Sequence, residues 1–181
     1  MKVIAMMGSP HEDGPSSTLV RRFLEGAKDA GHEIVAYECN KMDIKDCQGC
    51  GYCKNNAADC IVNDDLKPYW KELHECGALI VSSPNYCSSV TGGMITYMNR
   101  HYCLLDKDWK VRLHPGVKLV GVFAQGSPEM NETTQHSYKW FLADFQNRSM
   151  VLEAMLVHHR GMPLEIDSPL MVEAYNLGKN L

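Results

Sequence analysis

The chain reads as an α/β protein built on a doubly wound parallel sheet with helices on both faces. Three observations lead there. Five apolar, strand-like runs alternate with five stretches of helical spacing, a pattern that sandwiches and bundles do not produce. One run, Ala78 to Ser82, is apolar without alternation, as a strand buried on both faces must be. The connections after the first, third and fourth runs are rich in Gly, Ser and Pro, and ligands of such sheets bind beyond the carboxyl ends of the strands. At 181 residues the expectation is a single domain spanning 1–181.

The elements follow in order. Lys2 to Met7 is a short apolar strand ending in Gly8-Ser9-Pro10. Leu19, Phe23, Leu24 and Ala27 then have helical spacing, and Gly31 closes that helix. Glu33 to Tyr37 is the second strand. After a cysteine-rich loop, Asp64-Asp65 opens a helix through Leu66, Trp70 and Leu73, its carboxylates suited to the positive end of the helix dipole. Ala78 to Ser82 is the third strand, Met94, Met98 and Tyr102 mark the next helix, and Lys118 to Ala124 is the fourth strand. Thr134 to Met150 is helical in its spacing of Trp140, Phe141 and Phe145. Leu152 to Val157 is the fifth strand, and Pro169 to Leu177 the last helix, stopped by Gly178.

Composition narrows the function. A net charge of −4 argues against nucleic acid as a main partner, since phosphate recognition needs a positive surface. The N-terminal apolar run is too short for a signal sequence or a membrane span. Eight cysteines without an export signal imply a reducing cytoplasm, where thiols serve metals or redox chemistry more than structural disulfides.

The first connection, GSPHEDGPSSTL, brings small residues to a helix N-terminus. Its amides, the helix dipole and the hydroxyls of Ser9, Ser16, Ser17 and Thr18 suit a monophosphate, with His11 a further donor. It matches neither the dinucleotide fingerprint nor the P-loop. An ordinary capped helix start would use the same residue types. Tyr86 and Trp109 are candidates to border a flat heterocycle, whereas His158-His159, adjacent on a strand, point to opposite faces and make a poor metal pair.

Cys47, Cys50, Cys53 and Cys60 form a C-x2-C-x2-C-x6-C array within fourteen residues. That spacing lets thiolates approach one cluster from a single loop; a tetrahedral zinc site and a loop of packed free thiols are the other readings. Cys39, Cys76, Cys87 and Cys103 lie outside it.

As a set, GSPHEDGPSSTL with Phe23 to Ala27, CQGCGYCKNNAADCIVNDDL and SSPNYCSSVTGGMITYMNR resemble the flavodoxin-like NAD(P)H-dependent FMN reductases, in particular the iron–sulfur flavoproteins and their cluster-free relatives. The likeness covers roughly the first hundred residues in register and the rest by strand order. It implies a five-stranded sheet in the order 2-1-3-4-5 and bound FMN. Ser9, His11, Ser16, Ser17 and Thr18 would meet its phosphate, Pro84, Asn85, Tyr86, Cys87 and Ser88 its ring, and Gln125, Gly126 and Ser127 would form a third flavin loop.

The resemblance further implies hydride uptake from NAD(P)H, a small electron acceptor such as a quinone, and a homodimer or homotetramer. Among the iron–sulfur members the cysteine array holds a [4Fe–4S] cluster; in others a similar loop accompanies plain FMN reduction. The chain departs from the family pattern at His11, where Arg is usual, near Ile95, where Lys is usual, and at Asn99, where Asp is usual, so the phosphate charge is less compensated. The rival expectation is a non-catalytic electron carrier or redox sensor, with no acid, base or nucleophile needed from the side chains in either case.

Overall fold

The computed structural model describes residues 1–181. Strands β1 (Lys2–Met7), β2 (Glu33–Glu38), β3 (Cys76–Pro84), β4 (Lys118–Gln125) and β5 (Val151–His159) form one parallel sheet in the order β2-β1-β3-β4-β5. The expected order is the observed one. The helices are α1 (Pro15–Asp29), α2 (Tyr52–Asn56), α3 (Lys67–Glu75), α4 (Gly92–Arg100), α5 (Glu132–Gln146) and α6 (Pro169–Lys179). Short 3-10 turns occupy Cys39–Lys41 and His101–Leu104. No helix is long and apolar enough to cross a membrane.

Because side chains alternate across a strand, the central strands feed two cores at once. Leu79 and Val81 of β3 pack with Tyr69, Trp70, Met94, Tyr97, Phe141 and Phe145 under α3, α4 and α5. Ala78 and Ile80 point the other way, to Leu19, Val20, Phe23 and Ala174 under α1 and α6.

Three readings of the sequence need correction. A sixth helix, α2, lies inside the cysteine loop, too short to show a periodic pattern. Gly178 does not stop the last helix but lies within it: a Cβ there would sit 1.9 Å from the Phe23 carbonyl oxygen, and one on Gly26 would sit 2.1 Å from that of Tyr175. These two glycines let α1 and α6 pack backbone to backbone. Finally, Asp64-Asp65 is not the first turn of α3, which starts at Lys67; Asp64 takes the amides of Lys45 and Leu66, and Asp65 that of Asp43, so the pair pins the cysteine loop to the start of the helix.

The larger core contains polar groups that the sequence did not advertise. Tyr69 Oη lies 2.5 Å from Tyr97 Oη and 2.7 Å from His101 Nε2, all three residues fully buried. His101 Nδ1 faces the Tyr97 carbonyl at 3.0 Å and can only donate to it, so in the neutral ring that burial favours Nε2 accepts from Tyr69. Burial drives its pKa down from the ordinary 6.5 to about 3. Between those values the unfolded chain takes up a proton that the folded chain refuses, so stability falls as pH drops through 6.5 towards 3, by ~2 kcal/mol at pH 5. Urea unfolding at pH 7 and pH 5 should show this loss in the wild type and much less of it in His101→Gln. Equal pH slopes in the two proteins would remove His101 as its source.

Candidate functional site

The carboxyl ends of β1, β3, β4 and β5 lie at one edge of the sheet, as parallel strands require, and the loops that leave them enclose a cleft of ≈550 Å³. The first loop forms one wall. Pro15 takes the first position of α1, where the lack of an N–H costs nothing, and the next two amides, of Ser16 and Ser17, have no partner inside the helix. The loop folds by its own side chains: Ser9 Oγ accepts from the His11 amide at 3.1 Å, and Ser17 Oγ donates to the His11 carbonyl at 3.0 Å.

The second loop is anchored on both sides. The Asn85 amide donates to the Ala124 carbonyl at 2.7 Å, and Ser83 Oγ accepts from the Thr91 amide at 2.9 Å. Tyr86 and Ser89 exchange two backbone hydrogen bonds, with Cys87 and Ser88 between them in left-handed conformations at φ 52° and 61°. In the third loop the Gln125 amide nitrogen donates to the Glu129 carbonyl at 2.8 Å. His158 Nε2, from the end of β5, donates to the Met162 carbonyl at 3.1 Å.

Three side chains from these loops each leave a polar atom over. Asn85 Nδ2, Gln125 Oε1 and His158 Nδ1 are buried and have no partner, and all three residues line the cleft. Buried polar atoms are rarely left unpaired in native proteins, so a cluster of them around one hollow marks where a polar ligand completes the pairing.

Of the residues singled out in the sequence, Ser9, His11, Ser16, Pro84, Asn85, Tyr86, Gln125 and Gly126 line this cleft together. Ser17, Thr18, Cys87, Ser88 and Ser127 lie in the same loops but outside its lining. Trp109 is elsewhere, under the Lys54 ammonium, 4.8 Å from its ring centre. His158, Arg160 and Gly161 also line the cleft, and sequence reasoning missed them as site residues. Their signal was position: the fifth strand ends at the same edge as the other three.

The cysteine array occupies a second site. Residues 43–51 have no regular structure, and the run is tied down by Asp64, Asp65 and Arg100. Cys47, Cys50, Cys53 and Cys60 line one small hollow of ≈20 Å³ with Arg100, Tyr102 and Cys103, although no three acidic, histidine or cysteine side chains are drawn in to metal-binding distance. Cys103, expected to stand apart from the array, is at the wall of the same hollow because the turn after α4 brings it there. Cys47 and Cys50 are exposed, Cys53 and Cys60 half-buried and Cys103 buried. Desolvation raises the Cys53 thiol pKa and pushes that of Cys103 up to about 12.

Arg100 is 1% exposed and forms an ion pair with Asp64, both side chains fully shielded from solvent. Its Nη1 also donates to the Lys45 carbonyl at 2.6 Å. Burial opposes its charge, but the hydrogen bond it donates to Asp64 and its hydrogen bond with Cys60 outweigh that and hold its pKa above the ordinary arginine value.

Comparison with known proteins agrees with this architecture. The chain is 31% identical over 140 residues to an iron–sulfur flavoprotein of Methanocaldococcus jannaschii, a match covering 76% of this chain and 70% of that protein. It is 24% identical over 141 residues to an iron–sulfur flavoprotein of Methanosarcina thermophila, covering 77% and 72%. Among solved structures, an azoreductase from Bacillus anthracis superposes with a TM-score of 0.78 at 15% identity, covering 100% of both chains. An NAD(P)H:quinone oxidoreductase from Methanothermobacter marburgensis gives 0.72 at 15% identity, covering 99% of this chain and 95% of that one. Those two likenesses speak to the fold. The family model for NADPH-dependent FMN reductase matches residues 1–141, well over half the chain; the protein belongs to that family and is an FMN-dependent oxidoreductase with a nicotinamide donor.

Proposed function

We propose that the cleft at the carboxyl edge of the sheet is the FMN site and that the protein passes electrons from NAD(P)H to a small acceptor such as a quinone. The observation that carries this reading is the trio of unpartnered buried atoms, Asn85 Nδ2, Gln125 Oε1 and His158 Nδ1, around a hollow that is also lined by Pro15 and Ser16 at the start of α1. The amide donor of Asn85, the carbonyl acceptor of Gln125 and the imidazole nitrogen of His158 match the mixed donor and acceptor edge of a flavin. The cleft volume lies within the range of cofactor pockets. FMN, when bound, supplies the hydride and electron chemistry; the protein binds it, orients it and shields it.

In this reading Ser9, His11 and Ser16 to Thr18 meet the phosphate, Pro84 to Ser88 border the ring, and Gln125 to Ser127 close the third side. Arg160, exposed at the cleft, adds a permanent positive charge to a lining that has His11 where the family usually has arginine. In a homodimer or homotetramer, exposed apolar side chains such as Trp140, Val151, Leu152 and Val172 would be the ones to cover.

The test is flavin retention. Ser9→Glu/Ser16→Glu should lose FMN affinity at least ~10-fold, about 1.4 kcal/mol, because two carboxylates then face the phosphate. Flavin fluorescence after gel filtration measures this, with circular dichroism to show that the variant is folded. Retention equal to that of the wild type would place the phosphate elsewhere.

We infer also that the cysteine array holds a [4Fe–4S] cluster through Cys47, Cys50, Cys53 and Cys60. Support comes from the donor set itself: all four thiols border one hollow, and Cys47 and Cys50 lie on the irregular run 43–51, whose backbone can close around an added group. The iron–sulfur flavoproteins among its relatives point the same way.

A further inference from the structure

Arg100 has more donors than the protein satisfies. Nη1 serves the Lys45 carbonyl and Asp64, and Nη2 reaches Asp64 Oδ1 at 3.4 Å, but Nε is buried and has no partner. An N–H on a buried cation is among the most costly groups to leave unpaired. The side chain is 1% exposed, so solvent cannot supply the acceptor, and the space it borders is the hollow lined by the cysteine array. The Cys60 sulfur is near enough to act on the guanidinium through both hydrogen bonding and charge, yet no sulfur meets Nε with full hydrogen-bond geometry.

We propose that the Nε–H of Arg100 is the hydrogen-bond donor to a metal-bound sulfur in this hollow and raises the reduction potential of the centre held there. The inference rests on the reading of the array as a [4Fe–4S] seat. The planar fork makes the assignment specific, because one edge is consumed by Asp64 and the Lys45 carbonyl while Nε is left free. A thiolate-ligated cluster gathers negative charge, and donors to its sulfurs favour the reduced, more negative form. Lysine could keep the charge beside Asp64 but could not offer the Nε edge.

The test uses the full chain, reconstituted anaerobically with ferrous iron and sulfide. Wild type and Arg100→Lys are compared by iron content and by potentiometric titration followed by electron paramagnetic resonance. Both should take up iron, with the variant about tenfold harder to reduce, which for one electron is ~59 mV more negative. Equal midpoints at equal iron content would overturn the proposal while leaving the cluster reading intact. A second measurement needs no variant: in ¹⁵N-arginine-labelled wild type, the Arg100 Nε–H resonance should shift or broaden between the metal-free and reconstituted forms. An unchanged resonance also overturns it. If the wild type takes up no iron, the cluster reading falls and the proposal with it.

Discussion

Asp64→Ala should destabilise the protein by about 3–5 kcal/mol, because it strands the Arg100 cation in the interior with its main counter-charge gone. The Asp64 carboxylate also receives two backbone amides, so the substitution frees the cysteine loop at the same time. Urea unfolding measures the loss. The double variant Asp64→Ala/Arg100→Met should recover part of it, since no lone charge is then left buried. A single variant within 1 kcal/mol of the wild type would mean that the pair is decorative. There is a pH counterpart. Burial raises the Asp64 pKa, but its hydrogen bonds to Arg100 and to the Lys45 and Leu66 amides more than reverse that and hold it below 3.8. The stabilisation from this pair is complete above 3.8 and is lost as pH falls through the lower folded value.

Gly178→Ala is expected to cost about 3 kcal/mol, at the upper end for an added methyl group, because the new carbon would meet backbone rather than a movable side chain. The clash is with the Phe23 carbonyl, a group fixed by the hydrogen bonding of α1, so relief requires the two helices to separate. Gly92→Ala is the control. A Cβ there meets nothing within 4 Å, and the variant should be neutral or stabilised by about 0.5 kcal/mol. Thermal melts of the two variants should therefore diverge by many degrees, and matching melts would show that α6 slides freely on α1.

The parallel sheet was legible because its signals are local and strong: apolar runs of strand length, punctuated by Gly and Pro, survive without tertiary information. The loops of the cleft were legible for the same reason, being continuous in sequence. What escaped was whatever depends on one element meeting another. Gly178 looks like a helix stop from sequence, and nothing local says that α1 lies against it. Cys103 is separated from Cys60 by more than forty residues, yet both line the hollow. His158 and Arg160 joined the cleft only once β5 was placed beside β4. His101 and its tyrosines carry no motif at all, since their network spans α3, α4 and the turn that follows.

The packing of α6 on α1 also sets an order of events during synthesis. The wall of the cleft with the free amides is the start of α1, and the buried face of that helix, Leu19, Val20 and Phe23, shares a core with Leu170, Met171 and Ala174 of α6. A ribosome must therefore release α6 before the first helix gains this neighbour, although the sequence of α1 emerged some 150 residues earlier. Until then β1 and its loop wait on a long-range closure. A nascent chain halted before Pro169 holds every first-loop residue and still lacks the α6 side of that core, so cofactor capture is expected to wait until α6 has emerged.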